Sequence, residues 1–140
     1  MKKINFVNND APYLSAENLN QMQDNIEEAI RDTYSTEETF TGKYWFDGKK
    51  IYRKVIIGTT PSSNDTQMLY LDNVEELVDL KGFINSWESN RIPINSFSNT
   101  NDFVRIFATT INPLRVNFNS VSAYFNQPYK IIIEYTKTTD

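Results

Sequence analysis

YKIIIEY, residues 129–135, alternates apolar and mixed positions more clearly than any other stretch of the chain. Its first, third, fifth and seventh side chains would share one face of an extended strand, because successive strand side chains point to opposite faces. The other face carries a mixture that includes Glu134, which we expect to pair with a Lys or Arg on a neighbouring strand. The stretch therefore predicts a strand with one face in a core.

A hairpin is predicted upstream, where the aromatic-rich runs KYWF (43–46) and KKIY (49–52) flank Asp47-Gly48. Asp-Gly is a strong signal for a two-residue type I′ turn, whose two central residues both need positive φ. We expect Asp47 and Gly48 to be those central residues. The basic positions within 49–54 are interpreted as a solvated strand face, because the chain as a whole is acidic.

Other short apolar runs stand between polar turn residues and predict further strands. They cover residues 68–71, 83–87, 103–108 and 114–118. Residues 73–79 fit a short helical turn, since apolar side chains recur there at spacings of three and four, and a strand fits almost equally well. Aromatic residues make up 14% of the chain and only four residues are glycine, which favours strands over helices.

The amino-terminal part predicts one helix, over about Ser15 to Arg31. Ser15 is a favourable N-cap, and Glu17 suits the positive end of the helix dipole. The apolar stripe is narrow and has polar flanks, which suits a short bundle between subunits; packing on the chain's own domain is the alternative. The predicted oligomerisation seam consists of Leu19, Met22, Ile26 and Ile30.

Together these elements predict a mainly β protein. Its β-domain, residues 41–140, is expected to be an antiparallel β-sandwich or jelly-roll-like domain, preceded by an α-helical arm, residues 1–40, that anchors or trimerises. A chain of 140 residues buries about two-thirds of its unfolded surface on folding. Such a core needs no metal or disulfide.

Composition excludes several kinds of function. The chain has no histidine and no cysteine, which removes catalytic triads, thiol chemistry and zinc sites built from these residues. Fourteen basic against 18 acidic residues give a net charge of −4, which disfavours an ordinary basic nucleic-acid binder. No apolar run is long enough to predict membrane insertion, and the glycines stand singly, so no cofactor is expected.

Carboxylates remain as candidates for catalysis. Glu37-Glu38 and Glu75-Glu76 with Asp79 are the notable groups. A glycosidase needs two carboxylates that face one bond, whereas adjacent residues on a strand point to opposite faces. We interpret these residues as solvated acidic positions and predict no catalytic residue. No metal site is expected either, because the asparagine and aspartate clusters lack the spacing of a calcium loop.

Aromatic side chains are the candidates for ligand binding, because sugar rings stack on them. In a β-domain with few leucines most aromatic residues must be in the core. The expected exposed patch is YFNQP, residues 124–128, since one of its two adjacent aromatic residues would face outward on a regular strand. The candidate ligand-binding residues are Trp87, Tyr124, Phe125 and Tyr129.

Three patches, in chain order, resemble a known family. They are APYLSAENLN (11–20), TGKYWFDGKKIYRK (41–54) and IEYTKTTD (133–140). All three are similar to segments of virion appendage proteins of tailed bacteriophages and prophages, of the tail-fibre, baseplate or head-fibre type. The first resembles the helix entry of these proteins, and the second resembles their Gly-x-x-Trp-x-Asp-Gly-Lys-x-Ile-Tyr-Arg-Lys stretch.

The resemblance implies a non-enzymatic structural component of a phage or prophage particle. Its implied location is the virion, assembled in the cytoplasm of the bacterial host. The implied partners are two further copies in a homotrimer and other virion proteins, with host-surface glycan as a further candidate. Many such proteins carry a long shaft between arm and β-domain, and this chain has none, so a long fibre is not expected. The alternative, from the aromatic residues alone, is a free carbohydrate-binding module.

Overall fold

The computed structural model describes residues 15–64, 66–85, 90–110 and 112–140, and it divides the chain after Thr33 into two compact units. The first unit contains the helix α1 (Ala16–Ile30). The second unit, from Tyr34 to Asp140, contains the strands. These are β1 (Thr39–Tyr44), β2 (Lys50–Thr59), β3 (Thr66–Leu71), β4 (Val74–Asn85), β5 (Arg91–Pro93), β6 (Ser96–Asn99), β7 (Asp102–Thr110), β8 (Leu114–Ser120) and β9 (Pro128–Lys137).

The predicted helix is confirmed by α1 and by its cap. Ser15 has extended backbone angles, and its Oγ accepts a hydrogen bond of 3.1 Å from the backbone N–H of Asn18. This bond satisfies one of the amide groups that the first helical turn leaves without an internal partner. The Gln23 side-chain amide donates to Glu27 one turn later, at 3.0 Å.

The larger sheet has five antiparallel strands in the order β1-β2-β9-β4-β5. Its middle strand, β9, holds the alternating stretch, and the four side chains predicted to face the core are buried. On the opposite face Glu134 lies directly across from Arg53 of β2, and its Oε1 accepts a hydrogen bond of 2.6 Å from Arg53 Nε. Both predictions for this stretch are confirmed.

The smaller sheet has four antiparallel strands in the order β3-β8-β7-β6. Side chains from both sheets form one hydrophobic cluster, with Val104 and Ile106 from β7, Phe118 from β8, and Ile131 and Ile133 from β9 among its fully buried members. Over the residues that the structure describes, the protein is thus mainly β, with two antiparallel sheets and one short α-helix near the amino end.

The helical interpretation of residues 73–79 is wrong, because β4 runs through them without a break. Its pairing with β9 shifts register between Val74 and Glu76 and again between Leu77 and Asp79. Each shift inserts an extra residue and interrupts the alternation of faces. Val74, Leu77 and Leu80 therefore all reach the core cluster at a spacing of three, which imitates the period of a helix.

The hairpin of β1 and β2 is confirmed, but the predicted type I′ turn is wrong. Gly48 N–H donates to the Trp45 carbonyl at 2.9 Å, and Trp45 N–H donates to the Lys49 carbonyl at 2.8 Å. Gly48 has a φ of +87°, whereas Asp47 does not have positive φ. The loop therefore has three residues, a type I turn followed by a glycine bulge. The Asp47 carboxylate accepts from Lys49 N–H at 3.0 Å and stabilises this conformation.

The β unit begins at Tyr34, before the predicted domain start at residue 41. The Ser35 carbonyl accepts a hydrogen bond of 2.8 Å from Val55 N–H, so this segment is bonded to β2. The Tyr34 ring lies 4.2 Å from the Arg53 guanidinium carbon. β5 and β6 were not expected, since each has only three or four residues and stands among prolines and asparagines.

Candidate functional site

An apolar groove of about 690 Å³ lies on the face of the five-stranded sheet turned away from the core cluster. Val55 of β2 and Ile132 of β9 form its floor and stand directly opposite each other in the sheet. The aromatic side chains of Tyr34 and Phe83 also line the groove. The volume is within the range of small-molecule and side-chain binding sites.

The backbone around Gly82 shapes one side of the groove. A Cβ at Gly82 would lie 2.1 Å from the Lys130 carbonyl oxygen and 2.8 Å from Ile131 Cα, so only glycine allows β4 to approach β9 this closely. The Gly82 carbonyl accepts a hydrogen bond of 3.1 Å from Ile94 N–H. This bond holds the segment after β5 against the sheet, where Pro93, Ile94 and Asn95 line the groove.

One end of the groove is cationic. There a second pocket of about 160 Å³ adjoins the groove and shares Phe83 and Lys130 with it; its other lining residues are Asn85 and Arg91. Lys130 and Arg91 are exposed, and neither forms an ion pair within the described ranges of the chain. Lys81, also in the lining, is bonded to Asp79 at 2.9 Å, and that hydrogen bond raises the pKa of Lys81 above its ordinary value.

This arrangement suits the binding of an apolar group that carries a negative charge beside it. The floor can hold an apolar group, because burial of apolar surface is the main favourable term in association. The two cations at the end attract a negative charge next to that group. The sequence-level prediction already placed Lys130 and Ile132 on the mixed face of their strand. The groove itself also depends on β4 and β5, whose pairing could not be predicted.

The three described residues of the predicted aromatic ligand site do not share one exposed surface. Tyr129 is buried in the core cluster, and the Phe125 ring packs against Phe118 with centroids 6.0 Å apart. Tyr124 is half-buried, and its hydroxyl donates to Asp102 at 2.6 Å. Within the expected exposed patch, residues 124–128, only Asn126 and Pro128 are exposed, because a short 3-10 turn, Ser122–Tyr124, replaces the regular strand that was assumed. Trp87 lies outside the described residues.

The predicted seam follows one stripe of α1. Leu19, Met22 and Ile26 expose 48%, 40% and 58% of their surface. The side chain of Ile30, the fourth seam residue, lies outside the described part of the structure. The role of this stripe in oligomerisation stays a prediction.

Four of the five carboxylates considered for catalysis, all except Glu37, have a structural partner among the described residues. Glu75 is ion-paired with Lys49, and Glu76 accepts a hydrogen bond of 2.9 Å from the Trp45 indole nitrogen. These two contacts attach the β1–β2 hairpin to the start of β4. Asp79 is bonded to Lys81, as described above.

Glu38 is held between Tyr135 and Lys137 of β9, both of which donate hydrogen bonds to its carboxylate. Burial alone would raise the pKa of Glu38, but the hydrogen bonds from Lys137 and Tyr135 outweigh it and the pKa lies below its ordinary value. Burial, and then the bond to Glu38, raise the pKa of Tyr135. The charged carboxylate of Glu38 thus bonds the segment before β1 to β9.

A smaller cleft of about 180 Å³ lies on the outer face of the four-stranded sheet. Phe97 of β6 and Phe103 of β7 are directly paired there, with ring centroids 6.5 Å apart, and Phe97 is 62% exposed. Arg105 follows on the same face of β7, opposite Asn119 of β8. The alternation of Phe103 and Arg105 with buried Val104 and Ile106 could have indicated this outer face.

Comparisons with protein families, curated proteins and solved structures return no match for this chain. Within the described residues, no helix combines the length and the apolar character needed to cross a membrane. Among the same residues, no group of three or more acidic side chains is placed to hold a metal ion.

Proposed function

We propose that this chain is a non-enzymatic structural component of a tailed-phage or prophage particle, of the tail-fibre, baseplate or head-fibre type. The three patches in chain order support the family. The exposed apolar seam of α1 is the observation that carries the assembly part of the proposal, in which the chain forms a homotrimer. The proposed location is the virion.

The short length of α1 favours assembly. An isolated helix of 15 residues is marginal in water, and most helical stability in proteins comes from packing of an apolar face. Leu19, Met22 and Ile26 recur at spacings of three and four, the pattern that packs around an axis in short bundles. Three parallel copies would bury the stripe and leave the polar flanks in water.

The β unit is proposed to be a β-sandwich of the jelly-roll-like kind. Two antiparallel sheets that contribute to one hydrophobic cluster support this finer assignment. In the particle, this unit would face solvent, a neighbouring virion protein or a host-surface glycan. The structural partners of Glu38, Glu75, Glu76 and Asp79 support a non-enzymatic role, since these side chains stabilise the fold.

The direct test is to locate the chain in purified particles. Particles would be prepared from the strain that encodes it, separated on a density gradient and labelled with a gold-conjugated antibody against the β unit. We expect the label at one fixed position on each particle. Chain recovered only from the fractions that contain no particles would contradict the proposal.

A free carbohydrate-binding module is the second candidate, and the cleft at Phe97 and Phe103 favours it. An exposed aromatic pair beside Arg105 and Asn119 offers a stacking surface with hydrogen-bond donors for a sugar ring. A glycan array would be probed with the wild-type chain, with Phe97→Ala, and with Tyr70→Ala as a control at another exposed position of the same sheet. Glycan binding by a monomeric chain, lost only in Phe97→Ala, would favour this candidate.

A further inference from the structure

The tip of the β1–β2 hairpin carries an unexplained exposed aromatic side chain. Phe46 is 84% exposed, more than any other large apolar residue among those that the structure describes. The tip is held in place, because the Trp45 ring lies 5.3 Å from the Phe46 ring and is itself hydrogen-bonded to Glu76. Asp47 places a carboxylate next to this phenylalanine. The tip therefore presents an apolar group and a negative charge side by side on a fixed loop.

The groove is complementary to the tip, because it combines an apolar floor with a positively charged end. Its floor at Val55 and Ile132 is apolar, and its end carries the cations Lys130 and Arg91, which are not ion-paired within the described ranges. An apolar group flanked by an acid is the ligand that this combination recognises. The tip and the groove therefore match in both hydrophobicity and charge.

The tip cannot fill the groove of its own chain. The loop joins β2 at Lys50, whereas the groove floor in the same strand is at Val55. Five residues of strand span about 17 Å at about 3.4 Å per residue, and Lys130 lies further still along the sheet. Any contact between the tip and the groove must therefore be between two copies.

We propose that Phe46 of one copy inserts into the groove of the next copy, with Asp47 facing Lys130. The inference rests on the homotrimer of the proposed function and adds a second contact to it, between β units. The surfaces on the two sides of such a contact differ, so the contact runs head to tail, and three copies close it into a ring. Such a contact would bury the exposed aromatic side chain of the tip and give the cationic end of the groove a negatively charged partner.

A charge swap tests the contact in the full-length chain. We expect Asp47→Lys and Lys130→Asp each to weaken the trimer about tenfold, because each places like charges together. The combined variant should recover most of this loss, since the pair is restored with opposite polarity. Phe46→Ser should weaken the trimer at least about tenfold. The readout is the dissociation constant from light scattering on dilution, and Glu37→Lys is the control for an equal change of charge elsewhere.

Cross-linking provides the second measurement. The natural chain has no cysteine, so a variant with Asp47→Cys and Lys130→Cys, which keeps Phe46, contains no others. Under mild oxidation we expect covalent dimers and trimers on a non-reducing gel. Only monomer, or a ladder that continues beyond the trimer, would overturn the proposed ring.

The two proposals fail separately. A wild-type trimer that shows neither the charge-swap recovery nor the cross-link would refute the contact between tip and groove while the homotrimer stands. A wild-type chain that is monomeric by light scattering would contradict the homotrimer itself.

Discussion

β2 has two neighbours, and its two pairings differ sharply. With β9 it stays in register over eight consecutive residue pairs, from Tyr52 opposite Tyr135 to Thr59 opposite Pro128. With β1 the register shifts between Phe40 and Tyr44, and the strands end in an exposed aromatic loop. The centre of the sheet is fixed by the core on one face and by the buried Arg53–Glu134 ion pair on the other, whereas the edge hairpin has side chains available for contacts with other molecules. Substitutions at the centre should therefore cost more stability than substitutions at the edge.

The largest effect is expected where β4 approaches β9. Gly82→Ala places a Cβ 2.1 Å from the Lys130 carbonyl oxygen, so the two strands must separate. We expect a loss of at least about 4 kcal/mol in the free energy of unfolding, measured by urea denaturation. Gly42→Ala at the edge is the matched control, since that glycine also has positive φ but nothing lies within 4 Å of its Cβ position. Equal losses in the two variants would contradict the contrast between centre and edge.

The buried ion pair of Arg53 and Glu134 gives the next largest effect. Arg53→Met leaves the Glu134 carboxylate largely buried without its partner, since these side chains are 3% and 13% exposed. The expected loss is about 3 kcal/mol. Replacing both residues, with Arg53→Met and Glu134→Leu, should restore most of the stability, because no unpaired charge remains. A double variant as unstable as Arg53→Met would show that the charge is not the cause.

At the hairpin, Gly48→Val should cost about 1–2 kcal/mol. The cost is in the backbone alone, because a β-branched residue is strained at a φ of +87° while no atom lies within 4 Å of the added Cβ. Gly48→Asn should lose less, since asparagine tolerates this conformation better. Thermal unfolding followed by circular dichroism compares the two. Identical melting temperatures for wild type and Gly48→Val would rule out the glycine bulge.

The smallest effect is a pH dependence at Glu38. Its pKa is lower in the folded chain than its ordinary value of 4.5, so its stabilising contribution is complete above that pH and is lost as the pH falls below it. We expect Glu38→Gln to lose up to about 1 kcal/mol at pH 7, because the pair is partly solvated. In urea denaturation the difference between the two proteins should shrink as the pH falls below 4.5 and through the lowered pKa of Glu38. If the stability difference between wild type and Glu38→Gln is the same at pH 7 and pH 3, the charge of the Glu38 carboxylate is not its cause.

The sequence was sufficient where one local pattern decides a structure. The alternation of residues 129–135, the cap at Ser15 and the pairing of Glu134 with a basic residue needed only spacing and charge. It was insufficient where the structure depends on pairing between strands. Register shifts in β4 produced an apolar spacing of three that resembles a helix, and the hairpin loop has three residues, whereas two were predicted. The groove needs the approach of Gly82 to β9, which no local pattern reveals.

The role of Tyr124 and Phe125 in ligand binding stays a prediction, but the backbone conformation expected for them was wrong for a related reason. Tyr124 and Phe125 were assigned to a regular strand, but a 3-10 turn brings Phe125 against Phe118. Adjacent aromatic residues point to opposite faces only if the backbone is extended. Among the described residues, the two most exposed aromatic side chains are Phe46 and Phe97, which lie in a short loop and an edge strand, where pattern carries little information.

Light scattering of the full-length chain and of one double variant tests the central claim, that the seam of α1 assembles the protein. Met22→Asp with Ile26→Asp would place acidic side chains at the axis, whereas Gln21→Asp with Asn25→Asp adds the same charge on a polar flank as a control. We expect about 49 kDa for the wild type and the control, three times the chain mass of 16.3 kDa. For the seam variant we expect a monomer with a folded β unit, judged by circular dichroism. A monomeric wild type at high concentration, or a seam variant that remains trimeric, would contradict assembly through the seam.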